Sequence, residues 1–244
     1  MRRYLRAVLG EIDKKNAEKK REKRLEKYSG GGYHIASTGE AMRSYAGWCK
    51  DHQIEIRTIM EIGANYAQDA EVLKEEFFVN DNAIWVFEAH PEICQAIEKI
   101  HRFNAYNCAV TNYNGMAKFH VCDIESVNTG ISSLRVNSQY STKEVEVPAI
   151  RMDKFIEEKG IQEIGFLKID VEGCSWEVLD GFGDKIRIAK VIHVESEHLQ
   201  SWEGEKLWDD IYDKLAQNGF EMMLFERKVT QSDSFWVRKD LVKI

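Results

Sequence analysis

The sequence predicts an α/β domain built on a seven-stranded, mostly parallel sheet with helices on both faces and a C-terminal antiparallel hairpin strand. Apolar, β-branched segments of strand length alternate with helical segments from residue 57 to residue 218, which is the pattern of parallel strands joined by crossover helices. The last two strand-like segments, 220–226 and 234–238, are joined by too few residues for a crossover helix. They must therefore pair antiparallel.

The individual elements follow from this pattern in chain order. The predicted strands cover 57–63, 83–88, 106–110, 164–170, 190–195, 220–226 and 234–238, and the predicted helices cover 38–52, 67–78, 91–103, 175–179 and 203–218. Residues 111–153 interrupt the alternation with two further strand-like segments, 115–121 and 143–150, and a polar loop, 128–134. We expect this insertion to reach over the carboxyl edge of the sheet, where open α/β folds bind ligands.

The N-terminal segment differs in charge from the rest of the chain. Residues 1–27 read as a helix with eleven Lys/Arg and five Asp/Glu, and Gly30, Gly31 and Gly32 then break it. We therefore expect a basic helical extension and glycine linker over 1–32 and the main domain over 33–244. The extension is either a solvated helix or a contact with a second copy of the chain or an anionic membrane surface.

Composition excludes several classes of protein. After residue 27 the chain has 36 acidic and 23 basic residues, whereas nucleic-acid binding needs a positive face. No apolar run approaches the roughly 20 residues of a membrane span, and Arg6 interrupts the N-terminal apolar stretch, so we expect a cytoplasmic protein. The five scattered cysteines form no CxxC pair, which favours free, buried thiols.

Two strand ends carry the first candidate binding residues. Glu61 precedes a turn at Gly63 that lets a ligand approach the backbone, although an ordinary strand–helix turn is also compatible. A GxGxxG fingerprint is absent, since Ala67 and Gln68 occupy its later positions, and this disfavours nicotinamide and flavin cofactors. Glu88 ends the next strand and is placed either to accept two ribose hydroxyls or to lie in a helix cap before Pro91.

Two later strands end in further acidic residues. Asp170 and Glu172 follow a buried strand, and Glu195 and His198 follow the neighbouring one. Charges at such positions usually have a partner or a ligand, although helix capping explains one of the first pair. His198 is either a general base, a metal ligand or a surface histidine.

Together these features resemble the class I methyltransferase fold, a Rossmann-like architecture, and more specifically the FkbM family of S-adenosylmethionine-dependent methyltransferases. The resemblance covers about residues 57–226, and its most specific part is 168–173. The matching segments are Glu61-Ile-Gly-Ala-Asn65, Val86-Phe-Glu88, Gly130-Ile-Ser-Ser-Leu134, Arg151-Met-Asp153, Leu167-Lys-Ile-Asp-Val-Glu-Gly173 and Glu177-Val-Leu-Asp-Gly181.

The resemblance implies S-adenosylmethionine as cofactor and transfer of its methyl group to a hydroxyl, very often on a sugar of a polysaccharide, nucleotide-sugar or glycoside precursor. It implies that the methionine part contacts Glu61, Gly63, Ala64 and Asn65, the ribose Glu88, the adenine Ala109, and the departing methyl group Asp170. Asp170, Glu195 and His198 are the candidates for a catalytic base or for ligands of a divalent metal ion.

Two positions depart from the family pattern. Ala67 stands where the family usually has Gly, and Cys174-Ser175 stand where it favours Ala-Glu. The sequence keeps two alternatives to a sugar methyltransferase open, and the departures favour the second of them. One is methylation of a protein, a peptide or a small non-sugar metabolite, and the other is a non-catalytic cofactor-binding module.

Overall fold

The computed structural model describes residues 19, 38–122, 129–136 and 142–242. The predicted extension and linker over 1–32 therefore lie, apart from Lys19, outside the described residues, and the boundary with the main domain stays a prediction. Of the helices formed by the described residues, none combines the length and the apolar character needed to cross a bilayer.

Helices and strands alternate along the described chain as the sequence predicts. The helices are α1 (Thr38–Asp51), α2 (Gln68–Phe77), α3 (Pro91–Ile100), α4 (Met152–Lys159), α5 (Ser175–Phe182) and α6 (Trp208–Gln217). The strands are β1 (Ile59–Ile62), β2 (Ile84–Phe87), β3 (Asn104–Tyr106), β4 (Ala109–Val110), β5 (Gly115–Cys122), β6 (Thr142–Ile150), β7 (Ile164–Ile169), β8 (Ala189–Glu197), β9 (Phe220–Arg227) and β10 (Gln231–Arg238).

Seven strands form the main sheet in the order β3-β2-β1-β7-β8-β10-β9. β10 runs antiparallel to both of its neighbours, and the other pairs are parallel. The predicted fold class, with its antiparallel hairpin strand, is therefore confirmed. From β1 the chain winds outward to β3 and then returns to β7 on the other side of β1. This switch point opens a crevice at the carboxyl ends of the strands.

Two apolar cores cover the two faces of the main sheet. One packs α4, α5 and α6 against the sheet, and the other packs α1, α2 and α3 against the opposite face. Adjacent side chains of one strand point to opposite faces of the sheet. Phe166 packs in the second core and Leu167 in the first. This alternation follows from the two-residue period of a strand and explains why β7 is buried over its whole length.

The insertion forms a separate three-stranded sheet in the order β4-β6-β5, with β4 parallel and β5 antiparallel to β6. The prediction of one strand over 106–110 is therefore wrong, because β3 ends at Tyr106 in the main sheet and β4 belongs to the small one. Asn107 lies at the break. Its side-chain amide donates to the carbonyl oxygens of Glu88 and Ala89, and the chain turns out of the main sheet at this point.

The predicted helix over 203–218 begins later, at Trp208. The residues before it form a loop in which the Glu205 carboxylate accepts from the backbone N–H groups of Ser201 and Trp202. The predicted helix over 175–179 is longer and continues to Phe182. All five cysteines are free and buried, as predicted.

Candidate functional site

A cavity opens at the carboxyl ends of β1, β2 and β7, at the switch point of the sheet. It gathers every residue predicted to bind the cofactor: Glu61, Gly63, Ala64, Asn65, Glu88, Ala109 and Asp170. The opposite wall comes from the insertion, through Phe119, Gly130, Ser132 and Leu134. The insertion therefore does reach over the carboxyl edge of the sheet.

The turn after β1 brings the backbone close to two other strands. The N–H groups of Gly63 and Ala64 donate to the carbonyl oxygen of Phe87, at 2.9 and 3.1 Å. Gly63 has φ +76°, and a Cβ there would lie 1.7 Å from the carbonyl oxygen of Asp170. A residue with a side chain does not fit this approach, so the glycine is a requirement of the turn.

Ala67 lies in the same turn but faces away from the cavity. It adopts the left-handed conformation, with φ +56°, and it is fully buried in the core formed with α1, α2 and α3. It is not among the residues that line the cavity. The departure from the family glycine therefore places a methyl group in the core and strains the backbone, but it takes no room from a ligand.

Glu88 is a buried carboxylate at the rim of the cavity. One of its oxygens accepts from the N–H of Asn65 and the other from the N–H of His90, both at 2.7 Å. Burial raises the pKa of Glu88 to about 7, although the N–H groups of His90 and Asn65 favour the ionised form. Each oxygen keeps a lone pair for a further donor.

A buried lysine, which the sequence analysis left without a role, organises the floor of the cavity. The Nζ of Lys168 lies 3.1 Å from Glu61, 2.9 Å from Asp69 and 3.3 Å from Asp170. Burial alone would lower the pKa of Lys168, but the three carboxylates outweigh it and hold that pKa well above its usual range. Burial raises the pKa of Glu61 to about 7.

One signal of this cluster was present in the sequence. Lys168 is the one charged residue of an otherwise apolar strand, and a buried charge needs partners. The identity of those partners depends on the pairing of β1 with β7, which sets Glu61 beside Lys168, and on the start of α2, which carries Asp69.

Asp170 directly follows β7, and Glu195 lies near the end of β8, which neighbours β7 as predicted. Their carboxylates converge with that of Glu172. One ligand-capable oxygen from each of the three lies within 4.8 Å of the others. Burial, followed by the charge of Asp170, raises the pKa values of both Glu172 and Glu195 well above their usual range. Glu172 was noticed in the sequence but not included among the candidate catalytic residues.

Glu195 has partners on the adjacent hairpin. The side-chain amide of Gln231 donates to its Oε2, and the Nζ of Lys228 lies 3.7 Å from the same oxygen. Lys228 also pairs with Asp233 at 2.6 Å, and Asp233 in turn contacts His193 at 3.1 Å. These contacts fix the Glu195 carboxylate through the hairpin.

The structure separates His198 from this cluster. Its backbone N–H donates to the carbonyl of Thr230, and its ring Nε2 lies 3.1 Å from the carbonyl of Val229, in the turn between β9 and β10. The side chain is buried, so the alternative of a surface histidine is wrong. In the described part of the chain, the convergent acidic group contains Asp170, Glu172 and Glu195 without His198.

Cys174 and Ser175, the second departure from the family, have distinct surroundings. Cys174 is buried and lines the cavity, and burial raises the pKa of its thiol to about 12, so the thiol stays protonated. The hydroxyl of Ser175 donates to the carbonyl oxygen of Glu195 at 2.7 Å. Ser175 thus ties the start of α5 to β8.

Comparison with known proteins gives a family and several distant structural neighbours. The protein-family model of the methyltransferase FkbM domain matches residues 61–222 of the sequence. A methyltransferase FkbM from Methylobacillus flagellatus has a TM-score of 0.47 and 11% identity over 75% of this chain and 44% of its own. An S-adenosylmethionine-dependent methyltransferase from Clostridium acetobutylicum has a TM-score of 0.46 and 6% identity over 83% of this chain and 92% of its own.

A third neighbour, EvdMO1, has a TM-score of 0.43 and 12% identity over 85% of this chain. The chain spans 42% of EvdMO1 and 44% of the Methylobacillus protein, less than half of either. No curated protein matches the chain. The match to the family domain covers well over half of the sequence, and it confirms the resemblance found in the motifs. The chain belongs to the FkbM family of methyltransferases.

Proposed function

We propose that this chain is an S-adenosylmethionine-dependent O-methyltransferase that acts on a sugar hydroxyl, in a polysaccharide or glycoside precursor. The observation that carries the proposal is the cavity of this FkbM domain, which is lined by Glu88, a carboxylate suited to ribose, and by Asp170 and Glu172, two carboxylates suited to a sulfonium. Glu195 is not among the described residues that line this cavity, but its carboxylate converges with those of Asp170 and Glu172 beside it. The sugar as acceptor is supported by the resemblance to the family.

The Glu88 end of the cavity fits the ribose of the cofactor. The two protein N–H groups occupy one lone pair on each Glu88 oxygen, and both oxygens retain another. Two neighbouring hydroxyls match this pair of acceptors. Ala109 lies at the same end of the cavity and offers a small side chain beside which an adenine ring has space.

The Lys168 end of the cavity fits the charged methionine part. Among the described residues that line the cavity, Lys168 is the one cation, against the carboxylates of Glu61, Asp69, Glu88, Asp170 and Glu172. Burial raises the pKa values of Glu61, Glu88 and Glu172, so a ligand with a sulfonium and an ammonium group is favoured because its positive charge stabilises their ionised forms. The excess of carboxylates over cations disfavours a cofactor with a pyrophosphate.

The acidic centre supplies the proton acceptor. When bound, S-adenosylmethionine supplies an electrophilic methyl group. Asp170 and Glu195 flank one spot at the edge of the sheet, where they align the acceptor hydroxyl and take its proton. Burial and repulsion raise the pKa of Glu195, which makes its carboxylate a stronger base than an exposed one.

The charge of this centre also restricts the class of molecule that can act as acceptor. Asp170, Glu172 and Glu195 repel a phosphate placed beside them. We therefore expect an uncharged glycoside hydroxyl to be methylated in preference to a hydroxyl close to the pyrophosphate of a nucleotide sugar.

Calorimetric titration with S-adenosylmethionine, followed by methyl transfer to a panel of acceptors, tests the proposal. We expect binding, and transfer to neutral glycosides more than to nucleotide sugars. Glu88→Ala should weaken cofactor binding by about 2 kcal/mol, because a charged hydrogen-bond acceptor is lost. Transfer to peptides or non-sugar metabolites alone would show that the acceptor is not a sugar. Binding without any transfer would favour a cofactor-binding module. Absence of binding would overturn the proposal.

Asp170→Asn tests the reaction centre, because it keeps the shape of the side chain and removes its charge. We expect turnover to fall by about 100-fold or more, the usual scale for an acid–base group, with a much smaller effect on cofactor affinity. A chelator then separates two roles for the carboxylates. Activity that is lost and restored by added Mg²⁺ would assign them to a divalent cation, and unchanged activity assigns them to direct proton removal.

A further inference from the structure

Glu172 sits in a strained turn immediately after β7. Its φ is +47°, in the left-handed region that side-chain-bearing residues rarely adopt, and Gly173 follows with φ +82°. A glycine at position 172 would adopt this conformation without strain, yet the chain carries a glutamate. Gly173 in turn cannot carry a side chain, since a Cβ there would meet the Trp202 ring at 2.5 Å.

The insertion loop 129–136 clamps this turn from outside. The buried hydroxyl of Ser133 donates to the carbonyl oxygen of Glu172 at 2.6 Å. The Nε of Arg135 donates to the carbonyl oxygen of Gly173 at 2.9 Å. The other guanidinium nitrogens hold the Glu203 carbonyl at 2.8 Å and the Glu177 carboxylate at 2.6 Å.

The clamp itself is anchored in the small sheet. Ser133 exchanges two backbone hydrogen bonds with His120 of β5, at 2.8 and 3.2 Å. The carbonyl groups of Glu172 and Gly173 are therefore tied to a second sheet rather than to their own helix. This arrangement fixes the strained conformation and with it the direction of the Glu172 side chain.

The side chain held in this way lines the cavity, and its carboxylate converges with those of Asp170 and Glu195. Lys168 pairs with Asp170 and Lys228 lies near Glu195, whereas the ionised form of Glu172 is disfavoured by burial and by the charge of Asp170. Holding a carboxylate at this spot therefore costs stability in the absence of a positive ligand. Strain and repulsion at one residue are typical of a position kept for binding or catalysis rather than for folding.

We infer that Glu172 is a third carboxylate of the reaction centre, where it faces the positive charge at the sulfonium methyl position, and that Ser133 and Arg135 are its positioning residues. The inference rests on the proposed function for the identity of the ligand. It assigns the insertion a part in the reaction centre as well as a wall of the cavity.

Two cofactor analogues test the inference without an acceptor. S-Adenosylhomocysteine has a neutral thioether, whereas sinefungin carries a protonated amine at the position of the sulfonium methyl. We expect wild-type protein to bind sinefungin more tightly in calorimetry. In Glu172→Gln the affinity for sinefungin should fall about tenfold, as for the loss of one charge-assisted hydrogen bond, while that for S-adenosylhomocysteine stays nearly constant.

Ser133→Ala tests the positioning role, since it removes the hydroxyl that holds the Glu172 carbonyl but leaves the carboxylate in the chain. We expect it to lower the preference for sinefungin in the same direction. The matched control is Ser201→Ala, because Ser201 is exposed and, within the described part of the chain, its hydroxyl bonds to the Leu199 carbonyl alone, at 3.5 Å. The control should leave both affinities unchanged.

Melting temperatures separate a functional role from a structural one. Glu172→Gln should melt at the same temperature as wild type where the Glu172 carboxyl is protonated and at a higher temperature at a pH where it is ionised, because repulsion is relieved only there. Its preference for sinefungin should be lost. An unchanged preference in Glu172→Gln would overturn the role of the carboxylate, and an unchanged preference in Ser133→Ala would overturn the clamp. Failure of wild-type protein to bind either analogue would instead overturn the proposed function and, with it, the inference.

Discussion

At the scale of single residues, the buried charge of Lys168 stabilises the fold through ion pairs with three carboxylates. Its ammonium group is the counter-charge for Glu61, Asp69 and Asp170, and both Lys168 and Glu61 are almost fully buried. Removing it would leave buried carboxylates without a cation. We therefore expect Lys168→Met to lower the free energy of unfolding by about 3–5 kcal/mol, measured by urea denaturation at pH 7.

An exposed ion pair provides the control for this variant. Lys118 pairs with Glu144 at 2.8 Å on the surface of the small sheet, with both side chains largely exposed. Lys118→Met should cost less than about 1 kcal/mol. A similar small loss in Lys168→Met would show that the buried cluster does not depend on its lysine.

Glu88 makes stability depend on pH in a definite direction. Its pKa is raised from 4.5 to about 7 on burial, so the folded state binds a proton that the unfolded state has released. The stability that this group contributes is fully present below about pH 4.5 and is lost as the pH rises through 7. Glu61 acts in the same direction, with a pKa of about 7.

We expect the free energy of unfolding of the wild-type protein to fall between pH 5 and pH 8. Glu88→Gln keeps the shape of the side chain but cannot ionise, so it should reduce this fall by about 1–3 kcal/mol. Chemical denaturation at four or five pH values measures both slopes. Identical slopes in the two proteins would show that Glu88 does not titrate in this range.

At the scale of elements, the end of α1 offers a test of backbone strain. Gln53 has φ +56° and closes the helix, with its N–H donating to Lys50 and the N–H of Ile54 donating to Cys49. Glycine adopts this left-handed position without a steric penalty. Gln53→Gly should therefore raise the free energy of unfolding by up to about 1 kcal/mol.

The same substitution inside a helix should have the opposite sign. Gln95 is exposed in the middle of α3, so Gln95→Gly should destabilise the protein by about 1 kcal/mol. Thermal and urea unfolding of both variants measure the difference. Destabilisation in both would mean that the Gln53 side chain contributes more than its backbone strain costs.

The elements also show which parts of the fold can be read from the sequence. The apolar stretches of β7 and of the first half of β8 predict that these strands exist, and the resemblance to the class I fold predicts that they are adjacent. The break between β3 and β4 lies at Asn107, whose amide bonds to carbonyl groups 18 and 19 residues earlier. No local pattern contains such a contact.

The candidate site likewise has features that the sequence predicts and features that it does not. Its carboxylates were predictable because charges at the ends of parallel strands meet at one edge of the sheet. The pairing of Lys168 with three carboxylates and the clamp of Arg135 on Gly173 were not predictable, because each depends on segments brought together only in the folded chain. His198 was misplaced for the same reason, since the turn between β9 and β10 captures its ring.

At the scale of the whole molecule, both cores of the main sheet are formed by residues from position 42 onward. α1 supplies Met42, Tyr45 and Cys49 to the core on one face of the sheet, and each is at most 1% exposed. The cavity is lined by residues between 61 and 174. The basic segment 1–27 contributes no residue to either core or to the cavity among the residues described.

We therefore expect deletion of residues 1–27 to leave a cooperatively folded protein with an affinity for S-adenosylmethionine within about twofold of the full chain, as for a segment outside the domain core. Calorimetric titration measures the affinity. Deletion of residues 1–52 is the contrasting variant, because it also removes α1 and should unfold the domain.

Size-exclusion chromatography and flotation with anionic vesicles then report whether the basic segment holds two copies together or attaches the chain to a membrane surface. If the shorter deletion already abolished cofactor binding or cooperative unfolding, the basic segment would be part of the folded domain and the boundary predicted after residue 32 would be wrong.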